Sequence, residues 1–138
     1  MKNIIVHTGY VPANVVRQSK TLTPQGIRAD LIMLTPEINI VNKTKQLLDS
    51  LKDNETVEIA TNNVIVVYTI RAYVVQHSNN YDVEYRYYTL DDYRSNNESN
   101  YQRITQGDHG DFKNAPEGFF DTIDKLLLQM LGIGKDAK

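Results

Sequence analysis

Residues 55–90 read ETVEIATNNVIVVYTIRAYVVQHSNNYDVEYRYYTL, and the fold prediction rests on this stretch. Two asparagine pairs, Asn62-Asn63 and Asn79-Asn80, lie between apolar or alternating runs. Asparagine tolerates the left-handed backbone that a two-residue hairpin turn requires. If both pairs are turn centres, three consecutive strands pair side by side. The stretch therefore predicts an antiparallel β-meander over about residues 55–90.

The register that follows from the two turns gathers most apolar side chains of the meander on one face. A slip of one residue in either hairpin would move its apolar set to the opposite face, so the agreement of two separate turns favours the register. Arg71 and Tyr73 are then expected on the other face. The predicted buried set is Val57, Ile59, Val64, Val66, Tyr68, Ile70, Ala72, Val74, Val83, Tyr85 and Tyr87.

Additional elements are predicted on both sides of the meander. Short N-terminal strands are expected at Ile4–Val6 and at residues 27–34, where apolar residues alternate. Apolar residues at helical spacing predict two helices, at about residues 36–52 and 116–131, with glycine just beyond the second. The fold class is therefore α+β, and the length of 138 residues favours a single domain over residues 1–138.

Composition excludes several classes of function. The chain has 15 Lys and Arg against 17 Asp and Glu, whereas proteins that grip a long phosphate backbone usually carry a basic excess. Cysteine is absent, which excludes disulfides, thiolate nucleophiles and Cys-ligated metals. The apolar run at the N-terminus is too short for a signal peptide, and no stretch approaches the roughly 20 apolar residues of a spanning helix. The expected location is the cytoplasm.

Arginine and tyrosine concentrate in and after the second predicted hairpin. The register places Tyr73 opposite Arg86 and Arg71 opposite Tyr88 on the outward side, and the polar loop at 91–113 continues the same chemistry. Arginine and tyrosine are enriched at binding hot spots. The alternative interpretation is that such cross-strand pairs only stabilise the sheet, by roughly 0.2–1 kcal/mol each. The candidate binding residues are Arg71, Tyr73, Arg86, Tyr88, Tyr93, Arg94, Tyr101 and Arg103.

The charge of this region favours a protein as the partner. Its arginines are interspersed with acids, which would repel a continuous phosphate track. We therefore expect a non-enzymatic binding or inhibitor-type protein, borne by a phage or mobile element and acting on a host protein, that uses the Arg/Tyr face and the 91–113 loop. The alternative is a binder of single-stranded nucleic acid or a small nucleotide through the same face, because bases stack on aromatic rings.

A second alternative is a small metal-dependent hydrolase that uses Asp108, His109 and Asp111. Their residue types suit acid–base or metal chemistry, but the loop lacks the spacing of a calcium loop, and the chain has only 3 histidines. A turn is the favoured interpretation, and neither metal nor cofactor is expected. His7 follows the first predicted strand, and the sequence identifies no nucleophile or orienting residue that would act with it. It is therefore interpreted as a strand-end residue.

Self-association is expected as well. The meander leaves residues 55–61 and 82–90 as strands to be paired or covered, and exposed edges are usually managed by one of these means. The run Leu126-Leu127-Leu128 is too broad for one buried helical stripe. Because residual apolar surface often marks an interface and twofold dimers are the commonest closed oligomers, a homodimer is predicted.

Overall fold

The computed structural model of the protein describes residues 1–20, 37–120 and 122–132. The predicted α+β class is confirmed, while the strand expected at 27–34 lies outside the described residues. The strands are β1 Lys2–Gly9, β2 Thr56–Ala60, β3 Tyr81–Tyr88, β4 Gln102–Gln106 and β5 Phe112–Lys113. The helices within the described ranges are α1 Ala13–Gln18, α2 Glu37–Asp49, α3 Val64–Gln76, α4 Leu90–Arg94 and α5 Thr122–Met130.

The five strands form one mixed sheet in the order β2-β1-β3-β4-β5. β1 runs parallel to both β2 and β3, and its Ile4 is aligned with Val57 on one side and Val83 on the other. β3 pairs antiparallel with β4, and β4 with β5. Lys20 forms a parallel bridge to Ile59 at the edge of β2 that is not paired with β1. The N-terminal strand is therefore the centre of the parallel part of the sheet.

The predicted meander over 55–90 is wrong, because residues 64–76 form the helix α3 instead of the middle strand. Asn63 caps this helix, and its side-chain oxygen accepts hydrogen bonds from the backbone N–H groups of Ile65 and Val66 at 2.9 and 3.3 Å. β2 and β3 run in the same direction, and parallel strands need a crossover, usually a helix. Asn62-Asn63 therefore begins a helix and is not the centre of a hairpin.

The two predicted helices are confirmed to different degrees. α2 lies within the range predicted at 36–52. The C-terminal helix begins at Thr122 and not near residue 116, because the segment before it turns. Gly118 and Phe120 have φ angles of 81° and 49°, which lie outside the helical region.

The core lies between one face of the sheet and the helices α2 and α3. β1 contributes Ile4 and Val6, and β3 contributes Val83 and Tyr85. The helices add a buried set at helical spacing, which includes Leu48, Val66, Val67, Ile70, Tyr73 and Val74. No helix in the described part of the chain is long and apolar enough to cross a membrane.

Candidate functional site

The structure separates the eight predicted binding residues into two groups. Arg71 and Tyr73 lie on α3, on the core side of the sheet. The predicted cross-strand pairs Tyr73–Arg86 and Arg71–Tyr88 are therefore wrong, because residues 71 and 73 are not in a strand. The second group lies on β3, on α4, and just before and within the start of β4. It consists of Arg86, Tyr88, Tyr93, Arg94, Tyr101 and Arg103.

The first group has structural contacts. Tyr73 is 6% exposed, its hydroxyl donates to Asp49 Oδ1 at 2.5 Å, and its ring stacks on His77 at 4.2 Å. Burial, together with the hydrogen bond to Asp49, raises the pKa of Tyr73. Arg71 donates from Nε to the backbone oxygen of Gly110 at 2.9 Å, and its guanidinium lies over the Phe112 ring at 4.5 Å. These two side chains fasten α3 to its neighbours.

The second group borders the side of the sheet that faces away from the core, which we call the outer face. Alternate positions of paired strands share one side of a sheet, so Ile5, Glu58, Glu84 and Thr105 form one row across it. A shallow cavity of about 210 Å³ lies over this face. The outer face comprises Asn3, Ile5, His7, Thr56, Glu58, Asp82, Glu84, Arg86, Tyr88, Arg103 and Thr105.

A three-residue ion-pair cluster occupies the β3–β4 part of the outer face. One carboxylate oxygen of Glu84 accepts a hydrogen bond from Arg86 Nε, and the other forms an ion pair with Arg103 Nε, each at 2.5 Å. The guanidinium of Arg86 also lies over the ring of Tyr101, 4.5 Å from its centroid. Burial opposes the charge of Arg86, but the hydrogen bond and the charge of Glu84 outweigh it and raise the pKa of Arg86. The side chain of Arg103 remains 67% exposed.

The polar segment predicted as the 91–113 loop is not one loop, because it contains most of α4 and all of β4 and β5. A capping box starts α4: Thr89 Oγ1 accepts the backbone N–H of Asp92, and the Asp92 carboxylate accepts that of Thr89. This backbone hydrogen bond, with those from the side chains of Asn100 and Thr89, holds the pKa of Asp92 below its usual value. The capped helix presents Tyr93, which is 52% exposed, and the exposed Arg94.

His7 has two side-chain partners that the sequence did not reveal. It is 2% exposed, with Nε2 at 2.8 Å from Glu58 Oε1 and Nδ1 at 2.8 Å from the Tyr88 hydroxyl. Burial lowers the pKa of His7 although Glu58 favours the charged form, and burial raises the pKa of Tyr88 to about 12. The neutral imidazole then donates to Glu58 and accepts from Tyr88. Tyr88 is fully buried although it belongs to the outer face, and its ring lies 5.7 Å from that of Tyr101, measured between centroids.

Asp108, His109 and Asp111 lie in or beside the turn that joins β4 to β5. The backbone N–H of Gly107 donates to Asp111 O at 2.8 Å, and that of Gly110 to Gly107 O at 3.0 Å. Within the described ranges there is no group of three or more His, Cys, Asp or Glu residues that could hold a metal ion. The hydrolase alternative stays a prediction.

Comparison of the chain with protein-family models, with curated proteins and with solved structures gives no match.

Proposed function

We propose that the protein is a non-enzymatic binding protein of the inhibitor type, which engages a protein partner through the outer face and the adjoining α4. The observation that carries the proposal is the cluster in which Glu84 holds both Arg86 and Arg103, with Arg103 reaching into solvent. A guanidinium held in advance loses less conformational freedom on binding than a free one. Arginine and tyrosine are also the residue types on which protein interfaces most often depend.

Charge favours a protein over a nucleic acid as the partner. Glu84 already neutralises part of the charge of the two arginines, and Glu58 and Asp82 lie on the same face. A phosphate chain would have to approach three carboxylates for two guanidinium groups. A protein surface can present both signs in matching positions, and such complementarity gives specificity. Single-stranded nucleic acid and nucleotides are therefore the alternative that the experiments below separate.

The proposal extends to the setting in which the protein acts. We place it in the cytoplasm, as a homodimer and as a factor carried by a phage or mobile element that binds a host protein. Support for the dimer comes from α5, in which Leu126, Leu127 and Leu128 are 49%, 46% and 45% exposed. Three consecutive residues of a helix point about 100° apart, so no single side of α5 buries this run.

A photo-crosslinking pair tests the proposal. A benzophenone amino acid is placed at Thr105, which lies on the outer face beside the ion-pair cluster, or at Lys52, an exposed residue in the turn region after α2, and each variant is expressed in the native host. We expect one protein to be crosslinked from position 105 and not from position 52. The crosslinked protein is identified by mass spectrometry. The same protein is then purified in its free form for affinity measurements.

The affinity of that purified partner gives the quantitative result. Arg103→Glu replaces the guanidinium beside Glu84 with another carboxylate and should weaken binding about tenfold or more, the size expected of a central charged contact. Lys52→Glu makes the same change of charge away from the outer face and should leave the affinity unchanged. Equal weakening by both variants, or none by Arg103→Glu, would contradict the proposal.

A further inference from the structure

A crevice of about 500 Å³ opens at the carboxyl end of the parallel strands. In the strand order β2-β1-β3, the chain leaves β1 on the side of β2 and then crosses through α3 to β3 on the other side. The carboxyl ends of β1 and β3 therefore flank the point where the direction of the connections reverses. Open α/β sheets bind ligands outside the carboxyl ends of their strands at such a point, and the volume is typical of a small-molecule site.

Aromatic rings form the wall and floor of the crevice. The ring of Tyr87 meets that of Phe119 edge to face at 6.1 Å, and Phe119 meets Phe120 in the same way at 4.8 Å. Phe119 is only 8% exposed and forms the floor. The Tyr68 hydroxyl donates to the backbone oxygen of Phe120 at 3.2 Å, which fixes the segment that carries both phenylalanines. Such a surface suits a planar aromatic ligand.

The end of β1 closes the opposite side and requires glycine. Gly9 has a φ of 82°, and a Cβ atom there would lie 2.6 Å from the backbone oxygen of Tyr88 and 2.8 Å from the Tyr87 ring. Asn62 holds this backbone from the end of β2: its Oδ1 accepts Gly9 N at 2.7 Å, and its Nδ2 donates to Gly9 O at 2.9 Å. The strand end and the Tyr87 ring are thus fixed against each other.

Few polar groups face the crevice, and their charge is negative. One amide hydrogen of Asn62 remains after its contact with Gly9, and the Thr8 hydroxyl, which donates to Asn62, keeps its acceptor lone pairs. Glu117 is the one charged residue among the described lining residues, and it is exposed at the rim. A carboxylate beside aromatic rings favours an organic cation, since ring faces attract ammonium groups, and disfavours an anion.

We propose that this crevice binds a small aromatic amine, with the ring against Tyr87 and Phe119 and the amino group towards Glu117. The site goes beyond the proposed protein-binding function, because none of its lining residues belongs to the outer face. The two are therefore separable by experiment.

Indole probes test the site directly, because the chain contains no tryptophan and all indole emission comes from the ligand. The probes are tryptamine, tryptophol and indole-3-acetate, which share one ring system and carry a positive, neutral and negative substituent. Fluorescence anisotropy at increasing protein concentration should give saturable binding in the order tryptamine, tryptophol, indole-3-acetate. We expect about tenfold or more between the first and the last, as for one well-placed charge.

Three variants locate the binding and its charge preference. Glu117→Gln should lower tryptamine affinity to that of tryptophol and leave tryptophol unchanged. Val64→Phe enlarges a lining residue and should weaken all three probes, whereas Val75→Phe, at the other end of α3 and 37% exposed, should weaken none. Absence of saturable binding, equal affinity for amine and carboxylate, or binding unaffected by Val64→Phe would overturn the proposal.

Discussion

His7 joins three strands through one buried imidazole. It lies on β1, and its ring nitrogens meet Glu58 of β2 and Tyr88 of β3 at 2.8 Å each. A buried polar group is stabilising only when its hydrogen bonds are made, and here both ring nitrogens have partners. Residues 7, 58 and 88 have no sequence spacing in common, so only the parallel pairing of the three strands brings them together. The sequence therefore predicted a partnerless strand-end histidine.

The pKa of His7 should lie below 6.5, the ordinary value for histidine, because burial disfavours the imidazolium. Near and below pH 6.5, His7 binds a proton in the unfolded chain more readily than in the native state. The free energy of unfolding should therefore fall as pH drops from about 7 to about 5. NMR titration of the imidazole and urea unfolding at each pH measure the two effects.

Glu58→Gln provides the matched variant. It keeps an oxygen acceptor but removes the negative charge that favours the imidazolium, so the pKa of His7 should decrease further. A His7 pKa at or above 6.5, or a higher His7 pKa in Glu58→Gln than in the unaltered protein, would contradict this account of the buried histidine.

α3 is the element that sequence reasoning assigned wrongly. Its run of valine, isoleucine and tyrosine favours a strand by residue type, and short apolar runs do not distinguish a buried strand from a buried helix. Because β1 pairs in parallel with both β2 and β3, the segment between β2 and β3 must cross over the sheet, which favours a helix. No local sequence pattern reveals this pairing. α2 lies within the predicted range because the helix is amphipathic: its apolar residues form one stripe and its charged residues lie on the opposite side. The C-terminal helix was predicted with less success, since nothing in the sequence marked the left-handed backbone of Phe120.

Helical burial in α3 predicts a contrast between two of its residues. Ile70 is 0% exposed in the core and Val75 is 37% exposed. Ile70→Ala should lower the free energy of unfolding by about 2–5 kcal/mol, because it leaves a cavity. Val75→Ala should change it by about 0.5 kcal/mol. Urea denaturation measures both, and a cost for Ile70→Ala no larger than that for Val75→Ala would contradict the packing of this helix.

The whole molecule distributes its candidate functions over separate surfaces. β3 is paired on both sides, by β1 and β4, so the strand at 82–90, which was expected to be paired or covered, is paired within the chain. Of the residues predicted for the Arg/Tyr face, Arg86 and Arg103 lie together on paired strands. Arg71 and Tyr73 do not belong to this face, because they lie on the helix α3 and not in a hairpin. The alternation of β3 itself placed Arg86 and Tyr88 on one side correctly. What failed was the assignment of their partner strand, which depends on topology.

Self-association now rests on α5 alone. All described side chains of this helix, from Lys125 to Met130, are exposed, and this apolar surface should be covered by a second copy of the chain. Sedimentation equilibrium at micromolar concentrations should give twice the monomer mass of 15.8 kDa. Leu127→Glu should shift it to the monomer, whereas Ile38→Glu, at a 62% exposed residue of α2, should not. A single species of 15.8 kDa for the unaltered protein would refute the dimer.

We expect the Arg86–Glu84–Arg103 cluster to recognise a protein and not a phosphate chain. The dependence of binding affinity on salt concentration tests this directly. It is measured for the purified partner that crosslinking identifies and, in parallel, for a fluorescent single-stranded oligonucleotide. Between about 50 and about 200 mM salt we expect the partner complex to weaken less than about tenfold, and the oligonucleotide not to bind at either concentration. Oligonucleotide binding that falls by about a thousandfold over this range, as when many phosphates are neutralised, would contradict the claim.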